Sequence, residues 1–183
     1  RLITNNGNSP MGFSYAGAMG ADLASSDNQN VVCIIGDGGF QMNIQELQTV
    51  KEYGMKFKTF ILNNHSYGII RAFQKTNLDG RLLASGPEGY TVPDFLKISE
   101  GYGFKRMKID KDSDIQKSIK EVLDYDGHII CDVDIGYWDK YEPRIAGPTP
   151  IEDMLPLLDR EEFNENMIID PYTDINKNEI LTE

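Results

Sequence analysis

The chain has 183 residues, 40% hydrophobic and 26% charged, which is enough for one sizeable core and too little for two large domains. Its net charge is −11, of which residues 151–183 carry −8 and residues 1–150 only −3. Such an acidic end repels nucleic acid and anionic membrane surfaces, so neither is expected as a partner, and no apolar run reaches the roughly 18 residues of a membrane helix.

Arg1-Leu2-Ile3-Thr4 lacks an initiator Met and reads as entry into a strand, so a piece of a longer protein is expected. Leu2-Ile3-Thr4 is the strand candidate, and the Asn, Gly and Pro residues of 5–10 form a dense turn signal. Small residues at helical spacing in 14–25 predict a helix able to lie close to a sheet. Val31-Val32-Cys33-Ile34-Ile35 predicts a buried strand. Beyond the turn at 36–40, Ile44, Leu47 and Val50 recur every third residue and predict an amphipathic helix. Asn43 is its expected N-cap, Glu46 the capping-box partner and Gly54 the stop. A strand at 57–62 completes a β-α-β unit with a right-handed crossover.

Further on, the pattern predicts a short helix at 67–73, a surface loop at 74–91, a helix at 92–102, a strand Lys105–Ile109 and a strand at 127–133. Ile115, Ile119, Val122 and Leu123 predict an amphipathic helix between the last two strands. The fold class is therefore α/β: three layers, a mostly parallel sheet with helices on both faces. Cys33 and Cys131 fall inside apolar strand-like runs, with no CxxC or Cys/His cluster. They read as buried hydrophobes in a reducing compartment, and a cytoplasmic location is expected. Prolines interrupt residues 136–183, which read as an acidic arm following a domain of residues 1–135. One helical turn is expected near 151–155, and the arm's apolar residues are expected to dock on this domain or a neighbour.

The chemistry concentrates in two turns. Gly36-Asp37-Gly38-Gly39-Phe40 follows one apolar strand, Asn63-Asn64 follows the next, and 24 residues lie between Gly38 and Asn63. In a parallel sheet both turns fall at the carboxyl edge, where open α/β sheets bind ligands. Glycines at a helix start offer unobstructed N–H groups to phosphate, and Asp37 and Asn64 supply hard oxygens suited to Mg²⁺. The pair of turns reads as a metal-diphosphate site. A phosphate-binding or assembly domain without catalysis is the non-enzyme alternative. His65 and His128 have no Ser or Cys partner at triad spacing, and neither is assigned a catalytic role. Glu46 reads as a capping or solvated carboxylate.

Gly36-Asp37-Gly38 with Asn63-Asn64 resembles the diphosphate-binding signature of thiamine-diphosphate enzymes. The wider text, residues 36–47 and Leu62-Asn63-Asn64-His65-Ser66-Tyr67-Gly68, is similar to the acetolactate synthase branch, as is Met11-Gly12-Phe13 through Ala21. The resemblance spans about residues 1–134 and corresponds to the C-terminal, diphosphate-binding domain of a three-domain enzyme. It implies that Asp37, the Asn64 side chain and the Ser66 carbonyl ligate Mg²⁺. It implies that Gly36, Gly38, Gly39 and the turn Ser66-Tyr67-Gly68 hold the diphosphate, with Met11 propping the cofactor and the Ser9 carbonyl facing its pyrimidine ring. Thiamine diphosphate and Mg²⁺ are then the cofactors, with FAD left open. A 2-keto acid is the substrate class, and decarboxylation with carboligation is the lyase or transferase chemistry. No catalytic residue is assigned within this chain. The activating Glu of the family lies on a pyrimidine-binding domain, of the same or a partner chain, so a homo-oligomer is expected and this chain alone is expected to be inactive. Phe73 stands where the branch commonly has a Trp, which leaves the second substrate open. Residues 150–163 resemble acetolactate synthase-like proteins of surface-polysaccharide sugar pathways, so such an enzyme, or a simple 2-keto acid decarboxylase, is the alternative.

Overall fold

The computed structural model of the chain describes residues 1–26, 30–137, 142–145 and 150–172. The chain divides into two compact units, Arg1–Asp139 and Lys140–Glu183.

In the first unit, four strands form one parallel sheet: β1 (Val32–Gly36), β2 (Lys58–Asn63), β3 (Lys105–Ile109) and β4 (Ile129–Asp134), in the order β1-β2-β4-β3. Alternate side chains feed two cores. Cys33, Ile35, Ile61 and Ile130 point to one face. There they meet Tyr15 and Ala18 of α1 (Phe13–Ala24), Phe40 of α2 (Asp37–Gln41), Leu47 and Val50 of α3 (Leu47–Glu52), and Phe95 of α5 (Phe95–Gly101). The opposite face packs Phe60, Ile109, Ile129 and Cys131 against Val122 of α6 (Ile115–Asp124). The two cysteines are buried, one in each core. Helix α4 (Gly68–Asn77) follows β2 at the carboxyl edge.

Local chemistry explains the boundaries. Asp94 and Asp114 cap α5 and α6, each side chain accepting the N–H of the residue three positions on. Gly54, at φ 59°, ends α3 in a Schellman motif: the Gly54 N–H reaches the Lys51 carbonyl and the Met55 N–H reaches the Val50 carbonyl.

Four expectations are corrected. Leu2-Ile3-Thr4 is not a strand; no described strand lies beside it, and Leu2 and Ile3 are exposed. The helix after the glycine turn begins at Asp37 itself, breaks at Met42-Asn43, and resumes through a 3₁₀ turn (Ile44–Glu46) into α3. Asn43 makes no capping bond, because its side chain lies against Gly12, and Glu46 instead accepts a hydrogen bond from the Thr49 hydroxyl at 2.8 Å. In α6 only Val122 of the apolar stripe is fully buried, while Ile115 and Ile119 stay exposed along with Val32, Ile34 and Leu62 of the sheet.

The fourth correction concerns the second unit. Residues 151–155 form turns and a single antiparallel bridge, Arg144 to Leu155, and the helix lies later, at α7 (Arg160–Asn166). Asp159 caps α7 and Phe163 is its buried residue. Arg160 lies over the Phe163 ring and takes both Asp153 oxygens in a fork at 2.8 and 3.0 Å.

Candidate functional site

Parallel pairing from Val32–Lys58 to Gly36–Leu62 brings the ends of β1 and β2 out at one edge, so the glycine turn and the asparagine turn lie side by side. Asp37, the first residue of α2, is 2% exposed. Its Oδ1 accepts the Gly38 N–H at 2.6 Å, whereas its Oδ2 is buried with no hydrogen-bond partner. Burial pushes this carboxyl above its ordinary value, and the nearby amides of Gly38, His65 and Ser66 counter that only in part. A buried carboxylate with a bare oxygen is costly unless something positive comes to it.

Ser66 is also buried, and its hydroxyl has no partner. The Ser66 N–H turns back to the Asn64 Oδ1 at 3.4 Å. Tyr67 donates its N–H to the Ser85 carbonyl at 2.9 Å, and its ring lies 4.0 Å from that of Tyr90. Gly68 is buried as the first residue of α4. Gly38 faces the Tyr67 ring and the Met11 methyl, and Gly39 packs on Ile35 with the Gly12 backbone N beside it. Gly36 ends β1 and caps α2. Met11, Asp37, Gly38, Ser66 and Tyr67 are thereby drawn together. Ser9 is exposed, at φ 40°, with its N–H and hydroxyl both on the Asn5 carbonyl.

These groups suit a metal bound to a diphosphate. The donors are hard oxygens, one of them orphaned, beside Gly38, where any Cβ would run into the Tyr67 ring and the Met11 methyl. Among the described residues no group of three His, Cys, Asp or Glu side chains is placed to hold a metal ion.

Residues 1–133 match the family described as "Thiamine pyrophosphate enzyme, C-terminal TPP binding domain". The chain belongs to this family. This thiamine pyrophosphate-binding domain is 33% identical to the acetolactate synthase large subunit of Lactococcus lactis over 165 residues, 90% of the chain and 28% of that protein. It is 31% identical to the acetolactate synthase large subunit of Cyanidium caldarium over 157 residues, 86% of the chain and 26% of that protein. Among solved structures it resembles the thiamine diphosphate-dependent 4-hydroxybenzoylformate decarboxylase of Rhodococcus jostii, with a TM-score of 0.60 and 31% identity, over 71% of this chain and 24% of that one. The chain thus spans about a quarter of the length of the relatives it matches.

Sequence reasoning missed several residues of this edge. Tyr90 is buried and accepts Gln41 Nε2–H at 2.9 Å, and burial, reinforced by the Asp37 charge, raises its hydroxyl pKa. Asp132 and Asp134, at the end of β4, contact Asn63 and His65. Polar residues alternating at a strand's carboxyl end were the available signal for the two aspartates. Tyr90, inside an aperiodic segment, left none. His128 is a core residue, with Nδ1 2.6 Å from the Phe57 carbonyl and Nε2 3.3 Å from the Tyr15 hydroxyl.

Proposed function

We propose that this chain is the cofactor-anchoring part of an acetolactate synthase-like enzyme that decarboxylates a 2-keto acid and joins the remainder to a second carbonyl. The observation that carries the reading is the buried Asp37 carboxylate, with one oxygen unpartnered, at a turn whose Gly38 leaves no room for a side chain. Thiamine diphosphate, when bound, supplies the carbon nucleophile and electron sink that the decarboxylation of a 2-keto acid needs.

The residues of this chain have holding and shielding roles. Asp37, the Asn64 side chain and the Ser66 carbonyl supply oxygens to Mg²⁺, whose charge offsets that of Asp37 and of the diphosphate. The N–H groups of Gly38 and Gly39, with the turn through Tyr67 and Gly68, receive phosphate oxygens. Met11 presents a large apolar surface beside Gly38, suited to propping a bent cofactor. Ser9 supplies its carbonyl to the pyrimidine end. In this reading residues 1–135 are the cofactor domain, and the acidic arm from 136 docks within the assembled enzyme. A pyrimidine-binding domain, from the same or a partner chain, completes the site in a cytoplasmic homo-oligomer.

A simple 2-keto acid decarboxylase is the second reading, supported by the similarity to the Rhodococcus decarboxylase. Assaying the full-length protein against a panel of 2-keto acids, with and without an acceptor carbonyl, separates the two. CO₂ release that needs both thiamine diphosphate and Mg²⁺ supports the proposal, and a coupled product selects carboligation. Release independent of both cofactors, or none with any keto acid, contradicts it.

A further inference from the structure

The loop that carries the proposed metal oxygens is tied to the neighbouring strand β4 by two layers of hydrogen bonds. In the inner layer, Asn63, the Cα partner of Asp134 in the sheet, donates Nδ2–H to Asp132 Oδ1 at 3.1 Å and accepts the Ile135 N–H on its carbonyl at 3.1 Å. Its Oδ1 accepts the His65 N–H at 3.2 Å. In the outer layer, His65 Nε2 lies 3.1 Å from Asp134 Oδ1, which also accepts the Gly136 N–H at 3.1 Å. Lys108 Nζ, on β3, stands 3.7 Å from Asp134 Oδ2.

His65 sits at φ 56°, in the left-handed region that residues with a Cβ disfavour. It lies between Asn64 and Ser66, and its conformation reverses the chain so that the Ser66 N–H meets the Asn64 Oδ1. Without restraint the loop would relax from that conformation. The backbone bond to Asn63 restrains one end of the residue, and the ring's bond to Asp134 restrains the other.

We propose that Asp134 is a positioning residue of the metal site: by holding the His65 ring it fixes residues 64–66 in the conformation that presents their oxygens. This inference rests on the reading of Asp37, Asn64 and Ser66 as Mg²⁺ ligands. In this proposal Asp134 acts through the His65 ring and is not itself a metal ligand. Residues that orient metal ligands commonly alter metal affinity by ~10- to 100-fold when removed.

The test is the Mg²⁺ concentration that half-saturates thiamine diphosphate binding to the full-length enzyme, read by calorimetry. Asp134→Ala is expected to raise it about tenfold. His65→Asn tolerates the left-handed conformation but cannot reach Asp134, and is expected to raise it about as much. The double variant should be no worse than either single one, as for two residues acting through one contact. Asp134→Asn keeps an acceptor for the imidazole N–H and for Gly136, and should stay within about threefold of the parent enzyme. The keto acid KM at saturating Mg²⁺ should not move. An unchanged half-saturation in Asp134→Ala, additive losses in the double variant, or Asp134→Asn as weak as Asp134→Ala would each overturn the inference. Should Asp134→Ala fail to fold, an unchanged half-saturation in His65→Asn would overturn it. If the parent enzyme itself binds thiamine diphosphate without regard to Mg²⁺, the functional reading fails, and that result is separate from all of these.

Discussion

Gly38 and Tyr67 come from different turns, yet a Cβ built on Gly38 would stand 2.8 Å from Cδ1 of the Tyr67 ring and 2.9 Å from the Met11 methyl. Tyr67 is pinned by its N–H bond to Ser85 and its contact with Tyr90, so the ring cannot simply swing away. Gly38→Ala is therefore expected to cost ~1–3 kcal/mol of stability by overpacking. It should also weaken thiamine diphosphate binding at least tenfold. Urea unfolding and calorimetry of the full-length variant check the two effects separately, and normal values in both would mean that the turn has room to spare.

Asp37→Asn should separate binding from folding. The amide keeps an acceptor for the Gly38 N–H and no longer carries a buried charge, whose desolvation raises the carboxyl in the parent protein. Stability without cofactor should be unchanged or higher, while Mg²⁺-dependent binding of thiamine diphosphate should fall by ~100-fold or more. A variant that loses stability but binds normally would mean that Asp37 serves only the fold.

His128 sets a pH dependence of stability. Burial holds its imidazole down to about 4 against an ordinary 6.5. The unfolded chain then takes up the proton first as pH falls. Stability is full above pH ~6.5, declines as pH falls toward ~4, and levels off below that, a loss of about 3 kcal/mol. Urea unfolding of the parent and of His128→Gln at several pH values between 7 and 4 should show the decline in the parent and a flatter curve in the variant.

Thr59 is wholly buried in β2, its hydroxyl without a hydrogen-bond partner. Thr59→Val keeps the shape and removes the stranded polar atom, so it should be neutral or stabilising by up to about 1 kcal/mol. A clear loss in urea unfolding would show that the hydroxyl interacts with the adjacent Cys33 thiol.

Three strands were legible as apolar runs between strong turn signals, and β3, Lys105–Ile109, where Met107 and Ile109 alternate with charged residues, was found to the residue. Glycine and asparagine are ordinary turn residues, so the two turns were legible as a site only together, each at the end of a neighbouring parallel strand. Other features depend on tertiary partners that no window of sequence contains. Leu2-Ile3-Thr4 has strand-like residues but no partner strand among the described residues, Asn43 has a capping side chain that packs on Gly12 instead, and α7 is seven residues held largely by Phe163. The link from Asp134 to His65 was hidden for the same reason: it joins residues 69 apart.

The most direct measurement is a calorimetric titration of the full-length protein with thiamine diphosphate, with Mg²⁺ present and after its removal by chelation. Saturable binding is expected that requires the metal and that is lost in Asp37→Ala with the fold preserved. Binding indifferent to Mg²⁺ and to Asp37, or no binding by the intact protein, would contradict it.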